Sequence, residues 1–391
     1  MHPRWDIFCR VIDNFGDIGV CWRLARQLAA EYELEVRLWV DEPAIFFRLC
    51  PEAAQAPLPR RIQGVQVHHW TADWVPVTPA DLVIEAFGCT LPSAYIKAMA
   101  LRPTPVLWIN LEYLSAESWV EGCHGLPSPQ GPGLYKYFFF PGFSEQTGGL
   151  LRESGLIEAR QRFQQGSGER DAFLARLGIQ PAPDARLISL FCYENPALAS
   201  WLDQLARDPQ PSLLLVPEGR VVADIGCWLG RLAPAVGECL TRGNLSLQLL
   251  PFLSPEDYDH LLWSCDLNLV RGEDSFVRAQ WAGKPFLWQI YPQQEGAHLV
   301  KLEAFLQRYT QALDPAAARA LEALWQAWNQ GQPMAESWSA LQPYSPRLAG
   351  HAEQWSRQIA GQKNSCAALV QFFKNWSKFA PGSTPSPFSG S

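Results

Sequence analysis

Two short apolar segments, joined by a charged turn and a helix, constrain the fold of this chain more than any other feature. Residues 267–270 are too few for a helix, and their apolar run is typical of a buried parallel strand. A turn with three charges around one glycine follows at residues 271–274. Ser275 is predicted to cap a helix that Gly283 ends at its C′ position. Residues 285–291 form a second predicted buried strand, so the segment is a strand–helix–strand unit of a parallel sheet.

The charged turn within this unit predicts an anion site. It falls at the carboxyl end of a strand, where the next helix points its free N–H groups and the positive end of its dipole. Ligands of doubly wound sheets bind at this edge, and phosphate is the usual anion there. The alternative is a surface salt-bridge cluster on a tight turn. The two buried strands that flank the turn favour the phosphate site.

Strand and helix patterns alternate along the chain twice, which predicts an α/β protein with two doubly wound, Rossmann-like domains. A length of 391 residues suits two such domains, each with its own core. Proline and glycine become frequent at residues 122–149, which predicts an irregular excursion before a domain boundary. The predicted divisions are a first domain at 1–150, a linker and leading helix at 151–185, a second domain at 186–312, helices packing back on the first domain at 313–380, and a disordered tail at 381–391.

The first predicted strand and helix are joined by a glycine loop that carries two aspartates. Residues 5–12 are the predicted strand, and residues 20–32 have helical spacing. Asp13 and Asp17, four residues apart, have the chemistry to bind a cation or to accept a proton. The interpretation that Asp17 only caps the helix is equally compatible with the loop. The complete G-x-G-x-x-G fingerprint is missing, so this loop alone does not predict a nucleotide site.

Aromatic residues end two predicted strands of the second domain. Phe191 and Tyr193 end its first strand, and Phe252 follows its third. Because parallel strands bring their carboxyl ends to one edge of a sheet, we expect these rings beside the charged turn. Rings in that place can stack on a nucleobase, a contact of roughly 1–3 kcal/mol. For any one ring alone, core packing is the alternative.

Composition and charge argue against several other classes of protein. A net charge of −7 disfavours a nucleic-acid backbone as the main partner, since such proteins usually carry a basic face. Ten cysteines without a C-x-x-C pair predict reduced thiols, and seven histidines show no zinc-ligand spacing. No apolar run approaches the ~18 residues that span a bilayer, and no signal-peptide pattern opens the chain. We therefore expect a cytoplasmic protein with no membrane partner and no direct nucleic-acid partner.

Three longer motifs resemble the EarP family of glycosyltransferases. They are DNFGDIGVCWRLARQLA near the start, WINLEYLSAESWVE in the middle and LVRGEDSFVRAQWAGKPFLWQIYPQ later. The resemblance extends to about residue 379. It implies a GT-B fold, with two Rossmann-like domains facing across a cleft. It also implies transfer of L-rhamnose from dTDP-β-L-rhamnose to one arginine of elongation factor P, with inversion of the anomeric centre and no metal or other cofactor.

The resemblance assigns roles to residues of both loops. The implied catalytic residues are Asp13, Asp17 and Glu273. The implied donor-binding residues are Asn14, Phe15, Gly16, Phe191, Tyr193, Phe252, Arg271, Gly272, Asp274 and Ser275. A guanidinium has a pKa above ~12 and must lose a proton as it attacks, so carboxylates are needed to orient it and to accept that proton. We expect Asp17 to act as the base, Asp13 to orient the loop or the guanidinium, and Glu273 to act more as a clamp.

Two other functions share parts of this pattern. A GT-B-like sugar-nucleotide epimerase uses the same donor pocket and needs no protein acceptor. A non-catalytic partner of the translation machinery needs neither Asp17 nor Glu273. Arg271 and the helix N-terminus at Ser275 are the groups we expect to stabilise a departing nucleoside diphosphate.

Overall fold

The computed structural model describes residues 2–13, 15–71, 73–131, 133–166, 168–293 and 296–379. The chain divides into two units, one formed by residues 1–154 and 360–391 and the other by residues 155–359. Each unit contains one largely parallel sheet with helices.

The first unit is built on an eight-stranded sheet in the order β3-β4-β2-β1-β5-β6-β8-β7. Neighbouring strands are parallel except at the two edges, where β3 and β7 run antiparallel to β4 and β8. Its strands are β1 (Arg4–Cys9), β2 (Glu35–Val40), β3 (Arg60–Ile62), β4 (Val65–His69), β5 (Leu82–Ala86), β6 (Leu107–Leu111), β7 (Pro127–Gly131) and β8 (Leu134–Phe139). Its helices are α1 (Phe15–Glu31), α2 (Pro43–Leu49), α3 (Ser93–Ala100), α4 (Trp119–Cys123) and, from the end of the chain, α15 (Ser365–Phe379).

The second unit is built on a six-stranded sheet in the order β11-β12-β10-β9-β13-β14, in which only the edge strand β11 is antiparallel. Its strands are β9 (Arg186–Leu190), β10 (Ser212–Pro217), β11 (Cys239–Arg242), β12 (Leu245–Leu250), β13 (Leu267–Arg271) and β14 (Phe286–Gln289). Its helices are α5 (Leu156–Gln164), α6 (Glu169–Arg176), α7 (Leu198–Arg207), α8 (Val222–Leu229), α9 (Pro255–Ser264), α10 (Asp274–Trp281), α11 (Ala297–Thr310), α12 (Pro315–Asn329), α13 (Ala335–Leu341) and α14 (Ser345–Ala360).

Several inner strands are buried along their whole length, as their continuous apolar sequences predict. Every residue of β5, β6 and β10 is buried. Parallel sheets covered by helices on both faces require such strands. The strand order also decides which loops meet, because β1 pairs with β5, β5 with β6, and β9 with β13.

The proline- and glycine-rich stretch at residues 122–149 contains a β-hairpin, and the prediction of an irregular excursion is wrong there. β7 and β8 pair antiparallel, with a register shift between Pro129 and Gly131, and β8 also pairs in parallel with β6. The aromatic residues of β8 favour a strand. Prolines are tolerated in β7 because it lies at the sheet edge, where missing N–H groups cost little.

The division of the chain differs from the predicted one at both ends of the second unit. The predicted linker at 151–185 contains α5 and α6, which belong to that unit. Of the helices predicted at 313–380 to pack on the first domain, only α15 belongs to the first unit. There Phe373 lies edge-on against Trp5, with ring centroids 5.6 Å apart, and the Ser365 hydroxyl donates to the Gly149 carbonyl over 3.0 Å. The predicted tail at 381–391 lies outside the described residues.

Candidate active site

The loop between β1 and α1 is closed by the side chain of Asp17. This residue lies in the first turn of α1 and is only 2% exposed. Its Oδ2 accepts the backbone N–H groups of Ile12 and Asp13, each over 2.9 Å. The carboxylate therefore fixes the path of the loop from inside the helix that follows it. Helix α1 begins at Phe15, earlier than the predicted residue 20, so Asp17 is part of the helix rather than its cap.

The remaining oxygen of Asp17 contacts a residue that the sequence did not single out as part of the site. The Tyr113 hydroxyl donates to Asp17 Oδ1 over 3.2 Å. Tyr113 follows β6, and its ring stacks on that of Phe87, which follows β5, with centroids 4.5 Å apart and planes 20° apart. The edge rule for parallel strands predicts that residues after β6 and β1 share one side of the sheet. It does not predict the hydrogen bond between Tyr113 and Asp17, whose strands lie on either side of β5.

Burial is the main influence on the acidity of Asp17. Removal of the carboxylate from water raises its pKa, and the N–H groups of Asp13 and Ile12 and the Tyr113 hydroxyl oppose that rise. The net effect is a raised pKa. A carboxylate with a raised pKa is a stronger proton acceptor than an exposed one, which suits a general base.

Asp13 lies on the other side of the same loop. It is 8% exposed, and its carbonyl accepts the Gly16 N–H over 2.7 Å. A Cβ on Gly16 would come within 2.7 Å of Asp13 Oδ2, so a larger residue here would displace the Asp13 side chain. The ring of Phe15 lies 5.5 Å from the guanidinium carbon of Arg48. Asn14, also predicted in the site, lies outside the described residues.

In the second unit, the charged turn places an arginine among aromatic rings. Arg271 ends β13 and is 4% exposed. Its guanidinium carbon lies 4.8 Å from the ring centroid of Phe191 and 4.5 Å from that of Tyr193. Both rings follow β9, the neighbour of β13. The structure thus brings together the predicted cation and two of the three predicted aromatic residues, and cation–π attraction holds the guanidinium in place.

The turn after Arg271 is held by two side chains, those of Trp288 and Ser275. Gly272 adopts a φ of +63°, and its carbonyl accepts the Trp288 indole N–H over 2.7 Å. The Ser275 hydroxyl accepts the Arg271 N–H over 3.3 Å and donates to the Arg271 carbonyl. The prediction that Ser275 caps the helix is wrong, because α10 begins at Asp274 and its N-cap is Glu273. Ser275 instead binds back to the end of the strand.

The aromatic residues differ in how much ring they leave accessible. Phe191 is half-buried, whereas Tyr193 is 4% exposed, and its backbone N–H donates to Gln289 Oε1 over 2.8 Å. The Tyr193 ring also meets Tyr291 edge-on at 5.5 Å. Phe252 is a half-buried residue two positions beyond the end of β12. The nucleobase contact stays a prediction, and Phe191 leaves more surface for it than Tyr193.

Neither a metal-binding group nor a membrane-spanning helix is found among the described residues. Across these ranges, no group of three or more His, Cys, Asp or Glu side chains is arranged to hold a metal ion. Within the same part of the chain, no helix has both the length and the apolar character to cross a membrane. All ten cysteines lie in described segments and are thiols.

Comparison with known proteins connects the two loops to one family. The profile of the family "Elongation-Factor P (EF-P) rhamnosyltransferase EarP" matches residues 5–374. A protein-arginine rhamnosyltransferase of Pseudomonas putida is 57% identical over 96% of this chain and 100% of its own length. One from Pseudomonas aeruginosa is 55% identical over 95% of this chain and 99% of its own.

Solved structures agree with this assignment. A structure described as the structural basis for EarP-mediated arginine glycosylation of translation elongation factor EF-P has a TM-score of 0.70 and 42% identity, over 95% of this chain and 99% of that one. A glycosyltransferase from Rickettsia africae, 8% identical with a TM-score of 0.54 over 96% of this chain and 98% of its own, shares the fold alone. The predicted α/β class of GT-B type is confirmed. The chain therefore belongs to the EarP family of elongation-factor P rhamnosyltransferases and is a glycosyltransferase.

Proposed function

We propose that this chain transfers L-rhamnose from dTDP-β-L-rhamnose to one arginine side chain of elongation factor P, with inversion at the anomeric carbon, and so activates that factor. One observation carries the proposal: 95% of the chain aligns, with a TM-score of 0.70, to a structure described for arginine glycosylation of EF-P. Both Pseudomonas relatives carry the name protein-arginine rhamnosyltransferase. Because the acceptor is a translation factor, the proposed reaction takes place in the cytoplasm.

On the acceptor side, the chemistry needs a base that is held in place. A guanidinium nitrogen attacks the anomeric carbon, a C–N bond forms, and one N–H proton must leave. Asp17 supports this role because three donors fix its carboxylate and burial raises its pKa. The proton passes to Asp17 and then to solvent. Asp13, on the same loop, has the chemistry to orient the guanidinium by a charge-assisted hydrogen bond.

On the donor side, the bond between the anomeric carbon and the diphosphate oxygen breaks, and dTDP leaves with the bonding electrons. The negative charge that grows on the diphosphate needs fixed positive groups. Arg271 and the N-terminus of α10 supply them in the proposal, without a metal ion or other cofactor. Phe191, Tyr193 and Phe252 would bind the nucleoside.

Glu273 has a separate role in the proposal. As the N-cap of α10 and only half-buried, it places a carboxylate next to the predicted diphosphate site. A full negative charge beside dTDP is unfavourable unless a cation accompanies it. We assign Glu273 to binding a cationic group of the bound substrates and not to proton transfer.

The test is to incubate the purified full chain with dTDP-β-L-rhamnose and elongation factor P and to weigh the factor intact. The proposal predicts a mass gain of one deoxyhexose, located on an arginine by peptide fragmentation. NMR of the product should show the anomeric configuration opposite to that of the donor. Conversion of the sugar nucleotide without modification of the factor would support an epimerase. Binding of the factor with no change in either substrate would support a non-catalytic partner.

A further inference from the structure

Tyr113 follows β6, stacks on a residue that follows β5, and contacts the proposed base, Asp17. It follows β6 by two residues, and its hydroxyl lies 3.2 Å from Asp17 Oδ1. Asp17 Oδ2 is already held by two backbone N–H groups of its own loop. The Tyr113 contact therefore fixes the one carboxylate oxygen that the loop does not, and it comes from a different element of the fold.

The ring of Tyr113 is itself positioned by an unusual residue. Phe87 has a φ of +56°, in the left-handed region that bulky side chains rarely occupy. The strand pairing maintains this conformation, because the Phe87 N–H donates to the Leu111 carbonyl over 2.7 Å and the side chain is 6% exposed. The result is the stacked Phe87–Tyr113 pair, with ring centroids 4.5 Å apart. Backbone strain of this kind concentrates at functional sites.

We propose that Tyr113 is a positioning residue of the transfer reaction: stacked on Phe87, it holds the Asp17 carboxylate in the orientation in which it accepts the proton. The inference rests on the proposed function, in which Asp17 is the base. Phe87 acts one step further away, because it contacts Tyr113 and not the carboxylate.

The surroundings of Asp17 determine the sign of the expected effect. Asp41 raises its pKa, as burial does, and the backbone N–H of Asp13 donates to the carboxylate. Cys9 lies near enough for the Asp17 charge to raise the thiol pKa. The Tyr113 hydroxyl acts in the opposite direction, because a hydrogen bond to the charged carboxylate favours that form. Removal of the hydroxyl must therefore raise the Asp17 pKa further.

The first test is the pH profile of turnover for Tyr113→Phe, which removes the hydroxyl and retains the stacked ring. We expect the acidic limb of the profile to move up by roughly one pH unit. The loss should reach about tenfold on that limb and shrink to about twofold on the plateau, where Asp17 is ionised in both proteins. Tyr135→Phe, at a half-exposed tyrosine of β8, is the matched control and should leave the profile unchanged. A loss for Tyr113→Phe that is the same at every pH would overturn the inference.

A second pair of variants separates a positioning role from a structural one. Phe87→Leu keeps the hydroxyl but removes the stacking ring, and we expect a smaller shift of the acidic limb in the same direction. In an Asp17→Asn background, Tyr113→Phe should cause no further loss, because it acts through that carboxylate. Full additivity of the two losses would contradict the inference. If wild-type protein transfers no sugar at all, the proposed function fails; an active wild type with an unshifted Tyr113→Phe profile refutes only the role of Tyr113.

Discussion

The loop that follows β1 and the loop that follows β13 are of the same local type, each between the carboxyl end of a parallel strand and a helix. Each is closed by a side chain in the first turn of its helix that binds back to the start of the loop, where the strand ends. Asp17 reaches the N–H of Asp13, and Ser275 reaches the N–H of Arg271, four residues earlier in both cases. The backbone arrangement is thus shared, and the closing side chain differs.

In the proposed function, that difference matches two opposite chemical tasks. The first loop is closed by a buried acid whose pKa is raised, so it provides a basic group suited to a cationic acceptor. The second is closed by a neutral hydroxyl and presents Arg271 between aromatic rings, which suits an anionic donor. In the proposed function, one loop type therefore serves substrates of either charge.

The largest expected effect tests whether the first loop is built for a guanidinium. An elongation factor P variant with lysine in place of the modified arginine should give no detectable product, because an ammonium cannot reproduce the planar fork that carboxylates bind. Intact-mass measurement against the wild-type factor checks this. A rhamnosyl-lysine product formed at a comparable rate would contradict the proposal that the acidic first loop is built to bind a guanidinium.

The next largest effect is expected on turnover when the proposed base, Asp17, is removed. Asp17→Asn should lower turnover by ~10²–10⁴, as for removal of a general base, while dTDP still binds. Asp73→Asn, at an exposed aspartate of the same unit, is the control. Initial rates and calorimetry with dTDP give the two readouts. Near-normal turnover in Asp17→Asn together with a folded but inactive Asp13→Asn would reverse the roles of the two aspartates.

A substitution in the second loop should weaken donor binding and leave proton transfer unaffected. Arg271→Ala should weaken dTDP binding about 10- to 100-fold, which is the loss of a charge-assisted interaction. Arg207→Ala, at an exposed arginine of α7, should leave the affinity unchanged. We expect the same calorimetric affinity with Mg²⁺ and with a chelator. Binding that requires Mg²⁺ would show that Arg271 and α10 do not suffice.

The smallest effect concerns the hydroxyl that closes the second loop. Ser275→Ala removes the contacts to the Arg271 backbone and should weaken dTDP binding about 2- to 10-fold, as expected for a neutral hydrogen bond. Ser264→Ala removes a comparable hydroxyl, bonded over 2.7 Å to the His260 carbonyl in α9, and should not change the affinity. A loss as large as that of Arg271→Ala would mean that Ser275 itself binds the donor.

Much of the fold was predictable because the strands are continuous apolar runs between glycine- and proline-rich turns. β13 and β14 occur within two residues of the predicted bounds, and Gly283 ends the α10 segment with a φ of +63°. Composition obscured the β7–β8 hairpin, since its strands lie in a segment rich in turn residues. Helix starts were also misplaced. Local capping preferences gave Ser275 as the N-cap, whereas the hydroxyl binds the preceding strand.

By itself, the sequence determined the class of the fold, the two strand–loop–helix turns and the residue types in them, because hydrophobic periodicity and turn chemistry are local properties. Only the tertiary structure decided which side chains meet. Arg271 lies between Phe191 and Tyr193 because β13 pairs with β9, and Tyr113 reaches Asp17 because β6 and β1 flank β5. The burial that raises the pKa of Asp17 is likewise a product of packing, since removal from water depends on every element around the carboxylate.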